Sequence, residues 1–117
     1  MENKDTGIFG ETMASNYLLN LGFEIVERNW RYKHLEIDII ATKENLLHIV
    51  EVKTRSSIVF GYPEQMINTH KMQFLKNAAA HYHYLHPAFK RLQFDVVAIY
   101  INPDQRLIMD YFEDVYF

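Results

Sequence analysis

The chain of 117 residues has no cysteine, four glycines, three prolines and no excess of positive charge. Without cysteine there is neither a disulfide framework nor thiolate chemistry, which suits a reducing cytoplasm. No Gly-rich phosphate loop, nucleophile elbow or dinucleotide fingerprint is present. Lys and Arg number 12 against 15 Asp and Glu, a net charge of −3, so the general basic footprint of a nucleic-acid binder is missing. That balance includes three acids in the last eight residues and any that a metal would neutralise. No apolar run reaches the ~20 residues of a membrane span. The opening Met1-Glu2-Asn3-Lys4-Asp5 is polar and leads into no signal-peptide core. Internal repeats and low-complexity tracts are also absent. The expectation is one domain over residues 1–117, cytoplasmic, with no membrane partner.

What is present is organised around residues 35–54, L-E-I-D-I-I-A-T-K-E-N-L-L-H-I-V-E-V-K-T. Two apolar, β-branched runs at 35–42 and 46–52 flank the polar break Lys43-Glu44-Asn45, and read as a β-hairpin. A two-residue loop at Glu44 and Asn45 sets Lys43 opposite Leu46, Asp38 opposite Glu51 and Glu36 opposite Lys53. Such a loop asks for positive φ at both positions, which Asn45 tolerates better than Glu44. Facing side chains in this register lie ~4.5–5.5 Å apart, and like charges there destabilise a sheet. A divalent cation resolves the conflict, because Mg²⁺ takes carboxylate oxygens together with waters and phosphate oxygens. Lys53 shares the face of Glu51, where it can position or deprotonate a water.

Around the hairpin, a helix capped by Asp5 or Thr6 runs to Asn20 with an apolar stripe of Ala14, Tyr17, Leu18 and Leu21, and Gly22 ends it. Glu11 falls on the same side as the stripe, and by spacing alone it is an acid favoured by the helix dipole. Residues 23–32 predict a strand with Phe23, Ile25 and Glu27 on one side and Val26, Arg28 and Trp30 on the other. Its end, Asn29-Trp30-Arg31-Tyr32-Lys33, mixes cations with aromatics, as a phosphate-contacting and stacking surface does, although amphipathic rim residues look the same. Ile37, Ile39 and Ala41 are expected on one face of the hairpin and Ile40, Leu47 and Ile49 on the other, so both faces are covered. Residues 55–66 form a long loop punctuated by Gly61 and Pro63, with Arg55 placed to meet a phosphate. A second helix spans 68–85, with Met72, Leu75, Ala79 and Tyr82 inward and Pro87 after its end. His81, His83 and His86 point in different directions and make no zinc site. Strands follow at 92–101 and 106–112, then an acidic, aromatic tail. A right-handed crossover makes 92–101 parallel to a hairpin strand. The fold class is therefore α/β, one mixed sheet flanked by helices.

Asp38, then twelve residues, then Glu51-Val52-Lys53 resembles the PD-(D/E)XK signature of restriction-endonuclease-like nucleases. With Gly10-Glu11, Asn29-Trp30-Arg31, Glu36-Ile37-Asp38, Thr54-Arg55, Gly61, Pro63, Lys71 and Arg91 with Phe94-Asp95, residues 7–99 resemble the YraN family of predicted endonucleases, itself similar to archaeal Holliday-junction resolvases. The resemblance implies a restriction-endonuclease-like αβββαβ core with an added C-terminal strand. It implies Mg²⁺ or Mn²⁺ on Asp38, Glu51 and Glu11, with Glu11, Asp38, Glu51 and Lys53 catalytic. It implies contacts to nucleic acid, DNA first, through Arg31, Lys33, Arg55 and Lys71, and allows a homodimer. The implied activity is phosphodiester hydrolysis in DNA, on branched or repair intermediates; the alternative is a non-cleaving binding or assembly module. Leu35 stands where the family has glycine.

Overall fold

The computed structural model describes residues 4–55, 69–102, 104 and 106–115. The elements are α1 (Lys4–Asn20), β1 (Glu24–Tyr32), β2 (Leu35–Lys43), β3 (Leu46–Arg55), α2 (Thr69–Leu85), β4 (Leu92–Ile101) and β5 (Leu107–Phe112). The order is the expected one. The long loop after Arg55, with Gly61 and Pro63, lies outside the described residues, and Arg55 itself closes β3. Among the described residues no helix is long and apolar enough to cross a membrane.

The five strands form one sheet in the order β1-β2-β3-β4-β5. β3 and β4 are parallel and the other neighbours antiparallel. The parallel pair follows from topology: β3 reaches β4 through α2, a crossover that returns the chain to the same end of the sheet. Leu47 and Ile49 of β3 pack with Met72, Leu75, Ala79 and Tyr82 of α2. Val50, one residue on, packs with Ala14 and Leu18 of α1. Alternation along β3 thus places one helix on each face.

The end of α1 is dictated locally. Gly22 has φ of 95° and its N–H donates to the Leu19 carbonyl, while the Phe23 N–H donates to the Leu18 carbonyl. That is the Schellman arrangement, with its apolar contact between Leu18 and Phe23. It turns the chain directly into β1.

β1 departs from simple alternation. Its register with β2 slips by one residue between Ile25 and Glu27, leaving Val26 as a bulge. Asn29 then adopts φ of 53°. As a result Trp30 packs on the α2 side, while Arg28, expected on the same face, reaches α1 and donates to the Thr12 hydroxyl at 3.2 Å. The partner strand turns over at the same rung: Ile37 joins the α2 cluster and Ile39 the α1 cluster. Ile37 therefore belongs with Ile40, Leu47 and Ile49, not with Ile39 and Ala41. Asn29 and Asp38 sit where both strands change face.

At the other end of the sheet a buried polar network ties the C-terminal segment down. Asp95 of β4 accepts from His48 Nδ1 at 2.7 Å and the Tyr111 hydroxyl at 2.6 Å through one oxygen. Its other oxygen accepts from Gln93 Nε2 and the Asp114 N–H, both at 2.9 Å. The Val115 N–H adds a bond to the Phe94 carbonyl at 2.7 Å. The acidic tail is thus docked on β4 as far as it is described. Burial pushes the Asp95 carboxyl up, but its four donors outweigh burial and hold it below the usual aspartate value. Burial first, then its hydrogen bond to Asp95 and that carboxylate's charge, push the Tyr111 phenol well up.

Candidate active site

The hairpin turn holds Glu44 at φ 54° and Asn45 at 65°, the two positive values a type I′ loop requires. This fixes the expected register, which runs from Lys43↔Leu46 to Ile39↔Val50. There the ladder stops. Asp38 and Glu51, one step further, are not a ladder pair. The Val52 N–H, which the next step would pair with a β2 carbonyl, donates to Asp38 Oδ2 at 2.8 Å. The strands part, and the notch between them holds the carboxylates.

Glu51 is buried, with 4% of its surface exposed. Its Oε2 meets the ammonium groups of Lys53 and Lys71, each at 3.4 Å. Among the described residues its Oε1 is buried with no partner while both acids are ionised; a protonated Asp38 can donate to Glu51. Such an atom is costly unless something donates to it or coordinates it. Asp38 is half-buried, and burial first, then the neighbouring Glu51 charge, raises its carboxyl well above the usual range. Glu11 approaches from α1. A Cβ on the neighbouring Gly10 would lie 2.0 Å from Thr54 Oγ1, so only glycine lets this turn of helix lie directly on β3. Burial raises Glu11 as well; an Asn29 hydrogen bond and Arg28 oppose it, and the charges of Glu36 and Glu51 add to it.

The notch therefore gathers Asp38, Glu51, Lys53 and Lys71, with Glu11 near enough for its charge to act on both carboxylates. Lys71, expected to contact nucleic acid, meets Glu51 with 41% of its side chain still exposed. Arg31 is exposed and pairs with Glu36 at 3.1 Å. Lys33 is exposed, 5.4 Å from the centre of the Tyr32 ring. Arg55 donates to the Thr54 carbonyl at 3.0 Å. The histidines of α2 do not converge: His81 stacks on Tyr32, His83 bonds the Phe89 carbonyl and His86 donates to the Tyr82 carbonyl.

Asn29 is the site residue that strand reasoning passes over. Its signal was in the chain, since asparagine is poor in strands yet tolerates a left-handed backbone. That conformation presents its side chain to Glu11.

Among the described residues no three His, Cys, Asp or Glu side chains are arranged to hold a metal by themselves. The donor set still suits a hard divalent cation, which often takes one or two carboxylates and completes its shell with water and phosphate oxygens. The unpartnered Glu51 Oε1 and the raised Asp38 are what such an ion would relieve.

A stability test follows for the metal-free protein. Because the folded-state value of Asp38 is raised, its ionisation costs stability as pH climbs from the unfolded value through the folded one. Asp38→Asn keeps an acceptor for Val52 and removes the charge. It is expected to stabilise the protein at neutral pH by ~0.2–1 kcal/mol, and to lose that advantage below about pH 4. Melting curves at both pH values check this. A variant less stable than wild type at neutral pH would show that the ionised carboxylate is needed for the Val52 bond.

Comparison with known proteins places residues 10–99 in a family described as the uncharacterised protein family UPF0102. A UPF0102 protein of Flavobacterium psychrophilum is 40% identical over 116 residues, covering 99% of this chain and 97% of its own. One from Clostridioides difficile is 42% identical over 102 residues, covering 86% and 90%. One from Caldanaerobacter subterraneus is 38% identical over 107 residues, covering 90% and 87%.

Proposed function

The chain belongs to the UPF0102 family, and from its carboxylate notch we propose a metal-dependent nuclease that hydrolyses phosphodiester bonds in DNA, with branched or repair intermediates as substrates. The observation that carries this is the pair Asp38 and Glu51: two adjoining carboxyls, one raised by burial and by the other, with a Glu51 oxygen that meets no donor among the described residues when both are ionised, and with Lys53 in contact. Structural acids are normally satisfied by their surroundings, whereas strongly perturbed carboxylates cluster at functional sites.

Asp38, Glu51 and Glu11 would hold Mg²⁺ or Mn²⁺, which when bound offsets charge developing on the phosphate and acidifies water. Lys53, an ammonium beside Glu51, orients the attacking water, whose proton passes to solvent. Lys71 supplies a second positive charge at Glu51. Asn29 holds Glu11 toward the notch. Arg31, Lys33 and Arg55 would contact phosphates, fixing the strand without reading its sequence. Two observations favour the rival reading, a binding module that does not cut: both lysines already balance Glu51, and no three-ligand cage exists among the described residues.

Labelled single-stranded, duplex and four-way-junction DNAs with Mg²⁺ or Mn²⁺ decide between them. Cleavage that stops on chelation supports the nuclease. Binding without cleavage of any member supports the module. Melting with added Mn²⁺ is an independent check: wild type should gain stability by mass action and Asp38→Asn little. Equal gains would put the metal elsewhere.

A further inference from the structure

We propose that the cleft between the β1–β2 turn and α2 binds an unpaired nucleobase of the substrate strand by stacking. This rests on the nucleic-acid reading above and gives it a substrate class, strands with unpaired bases.

Rings from two elements stand in one array there. Tyr32, at the end of β1, and His81, on α2, stack with centroids 3.9 Å apart and planes 16° apart. Trp30 lies 6.2 Å from His81 at 26°, and 6.5 Å from Tyr32 at 14°. Tyr84 lies 6.3 Å from His81 at 27°. Tyr84 is 79% exposed and Phe74 37%, so aromatic surface is left to solvent at this place. Beside the array is a cleft of about 570 Å³, lined among others by Tyr32, Lys33, His34, Phe74, Asn77 and His81. Among the described residues no carboxylate lines it, although the protein as a whole carries −3.

These groups are complementary to one chemistry. Flat rings offer a stacking platform for a base, the Asn77 amide can meet a base edge, and the Lys33 ammonium suits the adjoining phosphate. A base paired within a duplex keeps both faces covered by its neighbours. Only an unpaired or extruded base can enter. Position adds a second argument. Leu35 also lines the cleft, and Asp38 follows three residues along β2, about 10 Å in an extended strand. A base held here leaves the backbone of its own strand within reach of the notch.

The test is binding under chelating conditions, where cleavage is off. The probes are a labelled oligothymidylate, an abasic strand of equal length and a fully paired duplex. Trp30, the only tryptophan, reports occupancy through quenching. Oligothymidylate is expected to bind more tightly than either alternative. Tyr32→Ala and His81→Ala should each weaken it about 5- to 150-fold, the range for loss of one stacked base, and leave the abasic strand unaffected. Tyr32→Phe, which keeps the ring, should bind as wild type and controls for folding. Equal affinity for thymidylate and abasic strands, no binding of any probe, or alanine variants that melt and bind like wild type would each overturn the proposal. The nuclease reading fails separately. Wild type that binds single strands in this way yet cuts nothing ends that reading alone. Duplex cleavage at full rate in both alanine variants ends this one alone.

Discussion

Lys53→Ala is expected to slow cleavage by ~10²–10⁴-fold, the usual loss for a positioned acid–base group, and to leave affinity for nucleic acid nearly intact. The lysine is held inside the notch, with 19% of its side chain exposed and its ammonium 3.4 Å from Glu51. It is therefore poorly placed to act as a surface phosphate contact. The variant should still fold, because Lys71 meets the same Glu51 oxygen at the same distance and leaves that carboxylate a counter-charge. Lys53→Arg separates two roles: it restores the charge but not a proton that can be exchanged near neutral pH. If proton transfer matters, arginine stays slow; if charge alone matters, arginine recovers most of the rate. Single-turnover cleavage at fixed metal, with affinity measured under chelation, gives the answer. Alanine cutting at the wild-type rate removes Lys53 from the chemistry. A parallel fall in affinity would make it a phosphate ligand.

Asp95→Ala is expected to destabilise the fold by ~3–5 kcal/mol, a large share of the ~5–15 kcal/mol that holds a domain of this kind. The carboxylate is 1% exposed and joins β3, β4, β5 and the tail through His48, Gln93, Tyr111 and Asp114. Removing it strands four donors, each costing ~1–3 kcal/mol when buried and unpaired, with some relief from water entering. Asp95→Asn should cost clearly less. Its carbonyl can serve Gln93 and Asp114, while its amide can donate to the Nδ1 of a neutral His48 that carries its proton on Nε2, and to the Tyr111 oxygen. Because the Asp95 value is lowered on folding, the charged network contributes fully above the unfolded value near pH 4, and its contribution fades as pH falls further. Urea unfolding at neutral pH with an unchanged slope measures the difference. A loss under ~1 kcal/mol for alanine would mean that the network adds little to stability.

The parts legible in the chain were those governed by neighbours in sequence. Gly22 after a helical stripe predicts the Schellman turn because few residues other than glycine accept its backbone angle. Lys43-Glu44-Asn45 between two apolar runs predicts the hairpin and its register, and the turn forms despite a glutamate at positive φ. Met72, Leu75, Ala79 and Tyr82 predict the buried face of α2, since helical spacing is a property of the segment itself. Misplaced residues fall where alternation is broken. The Val26 bulge and the left-handed Asn29 put Arg28 on the face opposite Trp30, and Ile37 changes face across from them at Asp38. A single unpaired residue shifts every side chain beyond it, and apolar alternation alone carries no warning of the shift.

The candidate site divides along the same line. The sequence by itself determined its membership as far as Asp38, Glu51 and Lys53, because hairpin register follows from turn length and alternation follows from the pleat. It also determined that the two carboxylates would be neighbours. Only the tertiary structure decided what those neighbours do. The ladder ends at Ile39↔Val50, and Asp38 takes the Val52 N–H instead of facing Glu51 as a ladder partner. Glu11 is an ordinary helix-start acid until Gly10 lets α1 rest on Thr54. Lys71 is a surface lysine of α2 until the crossover brings that helix over Glu51. Each depends on a contact between residues 14 to 44 positions apart, and the energies that choose it, burial of charge and close packing, are set by neighbours that arrive only when the sheet and both helices have closed on one another.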